Sequence, residues 1–171
     1  MLSPKMQAAL NAQINAEYYS SYLYLSMAAY AESANLKGFA NWFRVQAQEE
    51  MIHALKFFDY VHSRRGRVEL KAIEAPPANW DSPQAAFEQT FNHEQHVTAL
   101  INKLVDQAKT ESDHATQAFL QWFVTEQVEE EATADQILQQ LRLMQNAPGG
   151  LFMLDRELAQ RTFVPPAATG A

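Results

Sequence analysis

The sequence predicts an all-α fold: a four-helix bundle with a long crossover between the second and third helices and a short fifth helix near the C-terminus. Three observations lead there. Apolar residues recur at alternating spacings of three and four along four long segments, the pattern of a helix packing along one seam. The pair Ser-Pro stands twice, at Ser3-Pro4 and Ser82-Pro83, where a serine N-cap and a proline in the first turn open a helix. One irregular stretch, Arg67 to Asp81, interrupts connections that are otherwise short.

The first helix runs from Pro4 to about Glu32 on the seam Leu10, Ile14, Glu17, Ser21, Tyr24 and Ala28. Tyr18, Tyr19, Tyr22, Leu23 and Leu25 make its opposite side apolar as well, so it needs a second partner, which predicts oligomerisation. Residues 33–36 form a short link to a second helix, Lys37 to about Arg65, stopped at Gly66, and the two make an antiparallel hairpin. Its seam is Phe39, Phe43, Gln46, Glu50, His53, Phe57 and Tyr60.

The stretch that follows carries Pro76, Pro77 and a short β-like run, Val68 to Ile73. About 28 helical residues reach ~42 Å and about 15 extended residues reach ~50 Å, so this connection can climb the whole bundle. The third helix, 83 to about 110, follows Phe87, Phe91, Glu94, Thr98, Ile101 and Val105. The fourth, about 113–145, follows Leu120, Phe123, Gln127, Glu130, Ala134, Ile137, Leu141 and Met144. Asn146-Ala147-Pro148-Gly149-Gly150 breaks it, 151–160 can form a fifth helix, and Pro165 onward reads as a flexible tail.

At 171 residues, 47% hydrophobic and 19% charged, the chain fits one domain, 1–171, with a substantial core. The net charge of -7 disfavours nucleic acid as a partner and is compatible with attracting cations. With no cysteine, disulfides and thiolate metal sites are excluded, and any metal is held by oxygen and imidazole, which points to iron, manganese or zinc. A basic-then-apolar leader is missing, and no apolar run approaches the ~20 residues that span a bilayer. The expectation is a cytoplasmic protein without a membrane partner.

The seams share an anomaly: each is interrupted by a carboxylate. Glu50 and His53, three apart, lie on one helix face. Counted outward from hairpin turns near Asn35 and Ser112, Glu17, His53, Glu94 and Glu130 each stand about 18 residues away, hence at one height. Shifting the first hairpin by 77 residues superposes Glu17 on Glu94, Glu50 on Gln127 and His53 on Glu130, a pseudo-twofold repeat. A shift of 80 instead superposes Trp42-Phe43 on Trp122-Phe123 and Glu49-Glu50 on Glu129-Glu130, and the sequence does not choose between them. A lone seam glutamate can lean to the rim or meet an arginine. Four at one level repel one another, and some must stay protonated unless cations intervene. Two divalent ions bridged by carboxylates remove the conflict.

One glutamate from each of two helices plus Glu-x-x-His motifs from the others is the di-iron carboxylate pattern of helical bundles. Along nearly its whole length the chain resembles the non-haem ferritins of bacteria and archaea. The resemblance is carried by Gln13-Ile14-Asn15-Ala16-Glu17, Ala47-Gln48-Glu49-Glu50 with His53, Arg65-Gly66-Arg67-Val68, Ser82-Pro83 with Ala86-Phe87-Glu88, Phe119-Leu120-Gln121-Trp122, and Glu126-Gln127-Val128-Glu129-Glu130-Glu131. It implies a ferritin-like bundle that oxidises Fe(II) with O2 or H2O2 and stores Fe(III) mineral in a hollow homo-oligomeric shell of about 24 subunits.

By the same resemblance, Glu17, Glu50 and His53 hold one iron. Glu94 and Glu130 hold the second, with Glu50 bridging and Gln127 close by. Glu49, Glu126 and Glu129 match the acids of a third iron site, and Tyr24 matches the tyrosine beside the centre. Thr133 stands where a second Glu-x-x-His would end, and Met51, where bacterioferritins bind haem, reads as filler, so no haem is expected. Trp122 reads as packing, and His93, His96 and His114 match no ligand position and read as surface residues. The rivals are a soluble di-iron oxidoreductase acting on peroxide or an organic substrate without storage, and a non-catalytic metal-binding or structural bundle.

Overall fold

A computed structural model describes residues 1–145, 147 and 149–165. Five helices follow in order: α1 (Pro4–Ser33), α2 (Lys37–Ser63), α3 (Pro83–Thr110), α4 (His114–Met144) and α5 (Gly150–Leu158). Three of the long helices carry their own caps. Ser3 Oγ accepts from Met6 N at 2.9 Å, Ser82 Oγ from Ala85 N at 3.0 Å and Asp113 Oδ1 from Thr116 N at 3.1 Å. The start of α2 has no cap of its own and borrows one from α5, where Asp155 Oδ1 accepts from Gly38 N at 2.8 Å and Phe39 N at 3.1 Å. Gly38 lets the two backbones approach, for a Cβ there would meet Asp155 O at 1.6 Å.

The C-termini of α1, α2 and α3 close on one device, a left-handed residue followed by a hydrogen bond back to the last turn. Asn35 (φ 58°), Arg65 (φ 60°) and Ser112 (φ 53°) are those residues. The return bonds run from Leu36 N to Ala31 O (3.0 Å), Gly66 N to Val61 O (2.8 Å) and Asp113 N to Ala108 O (2.9 Å). Helix α2 therefore ends at Ser63, two residues before the expected boundary, and Arg65 rather than Gly66 turns left-handed. Gly66 answers to space instead, since a Cβ there would lie 2.9 Å from Val61 Cγ1.

The connection from α2 to α3 climbs α1 as its length allows. Asn11 Nδ2 donates to Arg67 O at 3.0 Å, Asn15 Nδ2 to Ala72 O at 3.2 Å and Ser26 Oγ to Pro77 O at 2.6 Å. Trp80 then packs on Tyr30 with ring centroids 5.4 Å apart. The β-like run Val68 to Ile73 is not a strand, because side chains of α1 rather than a neighbouring strand take up its backbone groups. On the far side of α1, Leu23 turns into the core, whereas Tyr22 and Leu25 stay half-exposed. The tail expected from Pro165 lies, from residue 166, outside the described residues.

Buried apolar side chains form two layers. One gathers around Tyr24, Met27, Phe39, Phe43 and Phe87 near the α1–α2 turn, with α5 over it. The other gathers around Met6, Leu10, Phe57, Ile101 and Phe123 near the α3–α4 turn. Between them lies a polar layer at mid-height.

Candidate metal centre

Four helices build the polar layer, and the same alternating periodicity that buries their apolar residues buries its members. Glu17, Glu50, His53, Glu94, Gln127 and Glu130 are each at most 7% exposed. Ligand atoms of Glu17, Glu50 and His53 lie within 4.8 Å of one another, as do those of His53, Glu126 and Glu130. His53 belongs to both groups and so joins the two halves of the layer. Its Nδ1 lies 3.3 Å from Glu50 Oε2.

Part of this layer is satisfied within the protein. Gln13 Nε2 donates to Glu17 Oε1 at 2.8 Å. Gln46 Nε2 donates to Glu130 Oε2 at 2.7 Å and to Glu50 Oε1 at 3.4 Å. Tyr24 donates its hydroxyl to Glu94 Oε1, and Gln127 Nε2 donates to Glu94 Oε2 at 3.2 Å. Two atoms are left over: Glu17 Oε2 and Glu50 Oε2 are buried with no hydrogen-bond partner. An orphaned buried carboxylate oxygen is costly, and two of them beside an imidazole suit a cation.

The charge state tells the same story. Burial, reinforced by Glu50, pushes the Glu17 carboxyl up to about 8. Burial and then the Glu94 charge push Glu130 up to about 8 as well. Glu50 is driven well above the carboxylate range by burial and by Glu94 and Glu130, and Glu94 is raised by its burial. Like charges crowd a dry space, and protons fill it when no metal does. Divalent ions would displace those protons. Tyr24, its phenol pushed far up by burial and Glu94, stays a donor.

The family described as the ferritin-like domain matches residues 7–144. The chain belongs to the ferritin family. It is 47% identical over 161 residues to a bacterial non-haem ferritin of Bacteroides fragilis, covering 94% of this chain and all of that one. A bacterial non-haem ferritin of Staphylococcus aureus is 37% identical over 163 residues, 95% of this chain and 98% of that one. Among solved structures, an open-pore ferritin from the hyperthermophilic archaeon Archaeoglobus fulgidus superposes with a TM-score of 0.94 at 57% identity, covering 95% of this chain and all of that one. This ferritin is accordingly an iron-storage protein with ferroxidase activity, of the non-haem bacterial and archaeal type, and its fold is the bundle with a short C-terminal helix.

Not every candidate of the ferritin centre sits in its interior. Glu126, half-buried, joins the His53 and Glu130 group. Glu49 is half-buried, its carboxyl raised by burial, and pairs with Arg161 at 2.5 Å. Glu129 is exposed and belongs to neither group. Trp122 does more than fill space: it meets His53 edge-on at 5.4 Å and carries Lys56 Nζ 3.8 Å from its ring centroid. His93 is only part-exposed, on the rim of a surface cavity, and is tied to α1. It hydrogen-bonds Ser20 Oγ at 2.8 Å, lies edge-on to Tyr24 at 5.9 Å, and burial pushes its imidazole down to about 4. Gln46 stood on the seam, four residues before Glu50, the spacing at which an amide meets a carboxylate on a helix. Arg161 had no such signal, for it follows the last helix as an isolated basic residue.

Proposed function

We propose that Glu17, Glu50 and His53 take up one ferrous ion and Glu94 and Glu130 a second, with Glu50 shared between them and Gln127 alongside. The observation that carries this reading is the pair of unpartnered buried oxygens, Glu17 Oε2 and Glu50 Oε2, in one cluster with His53. Hard oxygen donors accept iron in both oxidation states, and a single imidazole leaves coordination positions open. Two Fe(II) ions supply the two electrons that turn O2 into H2O2, consuming two protons. Entry of the ions releases protons from Glu17 and Glu130, whose carboxyls hold them up to about pH 8. Tyr24 and Gln127 keep Glu94 oriented by donating to one oxygen each.

Glu49, Glu126 and Glu129 form a third iron site at the edge of this centre. The chain is one ferritin-like domain, acts in the cytoplasm, and assembles as a shell of 24 copies around the ferric mineral. Half-exposed Tyr22 and Leu25 on α1 support assembly, since both are apolar and uncovered within the subunit. The test is the double variant Glu50→Ala with His53→Ala. It should fold, because removing a buried charge relieves repulsion, and it should lose rapid aerobic Fe(II) oxidation. Oxidation at the parent's rate would refute the ligand assignment.

A further inference from the structure

Arg161 lies three residues beyond α5, yet its guanidinium reaches the edge of the metal centre. Nη1 donates to Gln46 Oε1 at 2.8 Å, Nη2 pairs with Glu49 Oε2 at 2.5 Å, and the planar group lies 4.5 Å from the centroid of the Trp42 ring. The main chain is tied down too, with Asn41 Nδ2 donating to Arg161 O at 2.9 Å and to Leu158 O at 3.2 Å. The segment after α5 is thus fastened to α2 through backbone and side chain together.

The bond to Gln46 has a directional consequence. An amide has one accepting end and one donating end. With Arg161 on Oε1, the NH2 end is committed to Glu130 Oε2 at 2.7 Å and Glu50 Oε1 at 3.4 Å. Gln46 is fully buried in the intact chain, and the part-exposed guanidinium of Arg161 is what stands between its Oε1 and solvent. Without that donor only the two carboxylates still orient the amide, and with its oxygen no longer held the NH2 end is free to shift between them. The fork matters as much as the charge: one planar group serves Gln46 and Glu49 at once.

The geometry points to Arg161 as a positioning residue of the metal centre. Through Gln46 it fixes the direction in which Glu130 and Glu50 present their oxygens, and through its second nitrogen it holds Glu49. The C-terminal segment thereby shapes donors that α2 and α4 carry. This inference rests on the ligand set proposed above.

Anaerobic Co(II) titration of the assembled protein, followed by calorimetry and visible absorption, tests it. Co(II) reads the donors without turnover. Arg161→Ala and Gln46→Ala should each weaken binding about tenfold, as losing a partner of a ligand does, and should alter the cobalt spectrum. The double variant should be no weaker than Gln46→Ala alone, because both act through one amide. Arg161→Met keeps the stem on Trp42 while removing the donors, so it separates packing from hydrogen bonding; it should behave as Arg161→Ala. If the parent takes up Co(II) and both Arg161 variants match it, the positioning role is overturned while the ligand set stands. Losses that multiply in the double variant overturn the route through Gln46, since Arg161 would then act on the bound metal through Glu49 alone. A parent that binds no Co(II) removes the centre itself.

Discussion

Asn35 and Ser112 stand 77 residues apart and hold the same backbone conformation, φ 58° and 53°, each closing the turn of one helical hairpin. Helices α2 and α4 restart at Lys37 and His114, again 77 apart. The repeat that pairs Glu17 with Glu94 and His53 with Glu130 is therefore the one the backbone obeys, and the alternative shift of 80 is a likeness of local motifs.

The left-handed positions carry strain that glycine would relieve. Ser112→Gly and Arg65→Gly should each raise stability by about 0.5–1 kcal/mol, the left-handed penalty less the added freedom of glycine in the unfolded chain. Asn35→Gly should gain less, because asparagine tolerates this conformation. Thermal unfolding of the three variants measures the order.

Stability without metal should fall as pH rises. Folded Glu17 and Glu130 hold protons up to about 8, whereas the unfolded chain releases them near the ordinary value of 4.5. The folded state thus binds more protons across that window, and the contribution present below 4.5 is lost as pH climbs through about 8. The melting temperature of chelator-treated protein should drop from pH 5 to pH 9. Glu130→Gln should flatten the slope, and Zn(II) should flatten it too. A midpoint that climbs over this range would contradict the assignment.

The junction of α5 with α2 should be intolerant of bulk. Gly38→Ala brings a Cβ against the Asp155 carbonyl and should cost about 1–3 kcal/mol. Asp155→Ala leaves two amides uncapped and should cost about 1 kcal/mol. Protease cutting between α4 and α5, compared across both variants, reads the loosening directly.

Tyr24→Phe keeps the ring beside Phe43, stacked at 6.3 Å, and removes only the hydroxyl that donates to Glu94. Iron oxidation should slow by about tenfold with the fold unchanged. Stopped-flow absorbance of the ferric product gives the rate, and a rate equal to the parent's would confine Tyr24 to packing.

Much of this architecture was legible because helices advertise themselves by period and caps. Ser3-Pro4 and Ser82-Pro83 marked starts to the residue, and inward carboxylates stood out against apolar seams. What escaped were contacts between parts distant in the chain. Nothing local to Leu36 tells that Asp155 will cap α2, or that Arg161 will reach Gln46. His93 escaped for another reason: it lies beside a seam rather than on it, and only the approach of Ser20 and Tyr24 from α1 partly covers it. The left-handed Arg65 escaped because a glycine stood next to it and claimed the role by type.

The symmetry of the two hairpins fails twice in the polar layer, where His53 falls opposite Glu130 and Glu50 opposite Gln127. Opposite Glu50 the repeat puts an amide, Gln127, which gives its hydrogen to Glu94. The enclosed space thus has four carboxylates, Glu17, Glu50, Glu94 and Glu130, and four negative charges neutralise two divalent ions. With two ions bound as proposed, the loss of one electron from each would leave two positive charges uncancelled by the protein. Hydroxide or oxide from water must make up the difference, and those are the anions of the mineral itself. On the proposed ligand set, a fifth acid at Gln127 would balance part of that surplus and delay the hydrolysis, so the amide there would favour passing iron on.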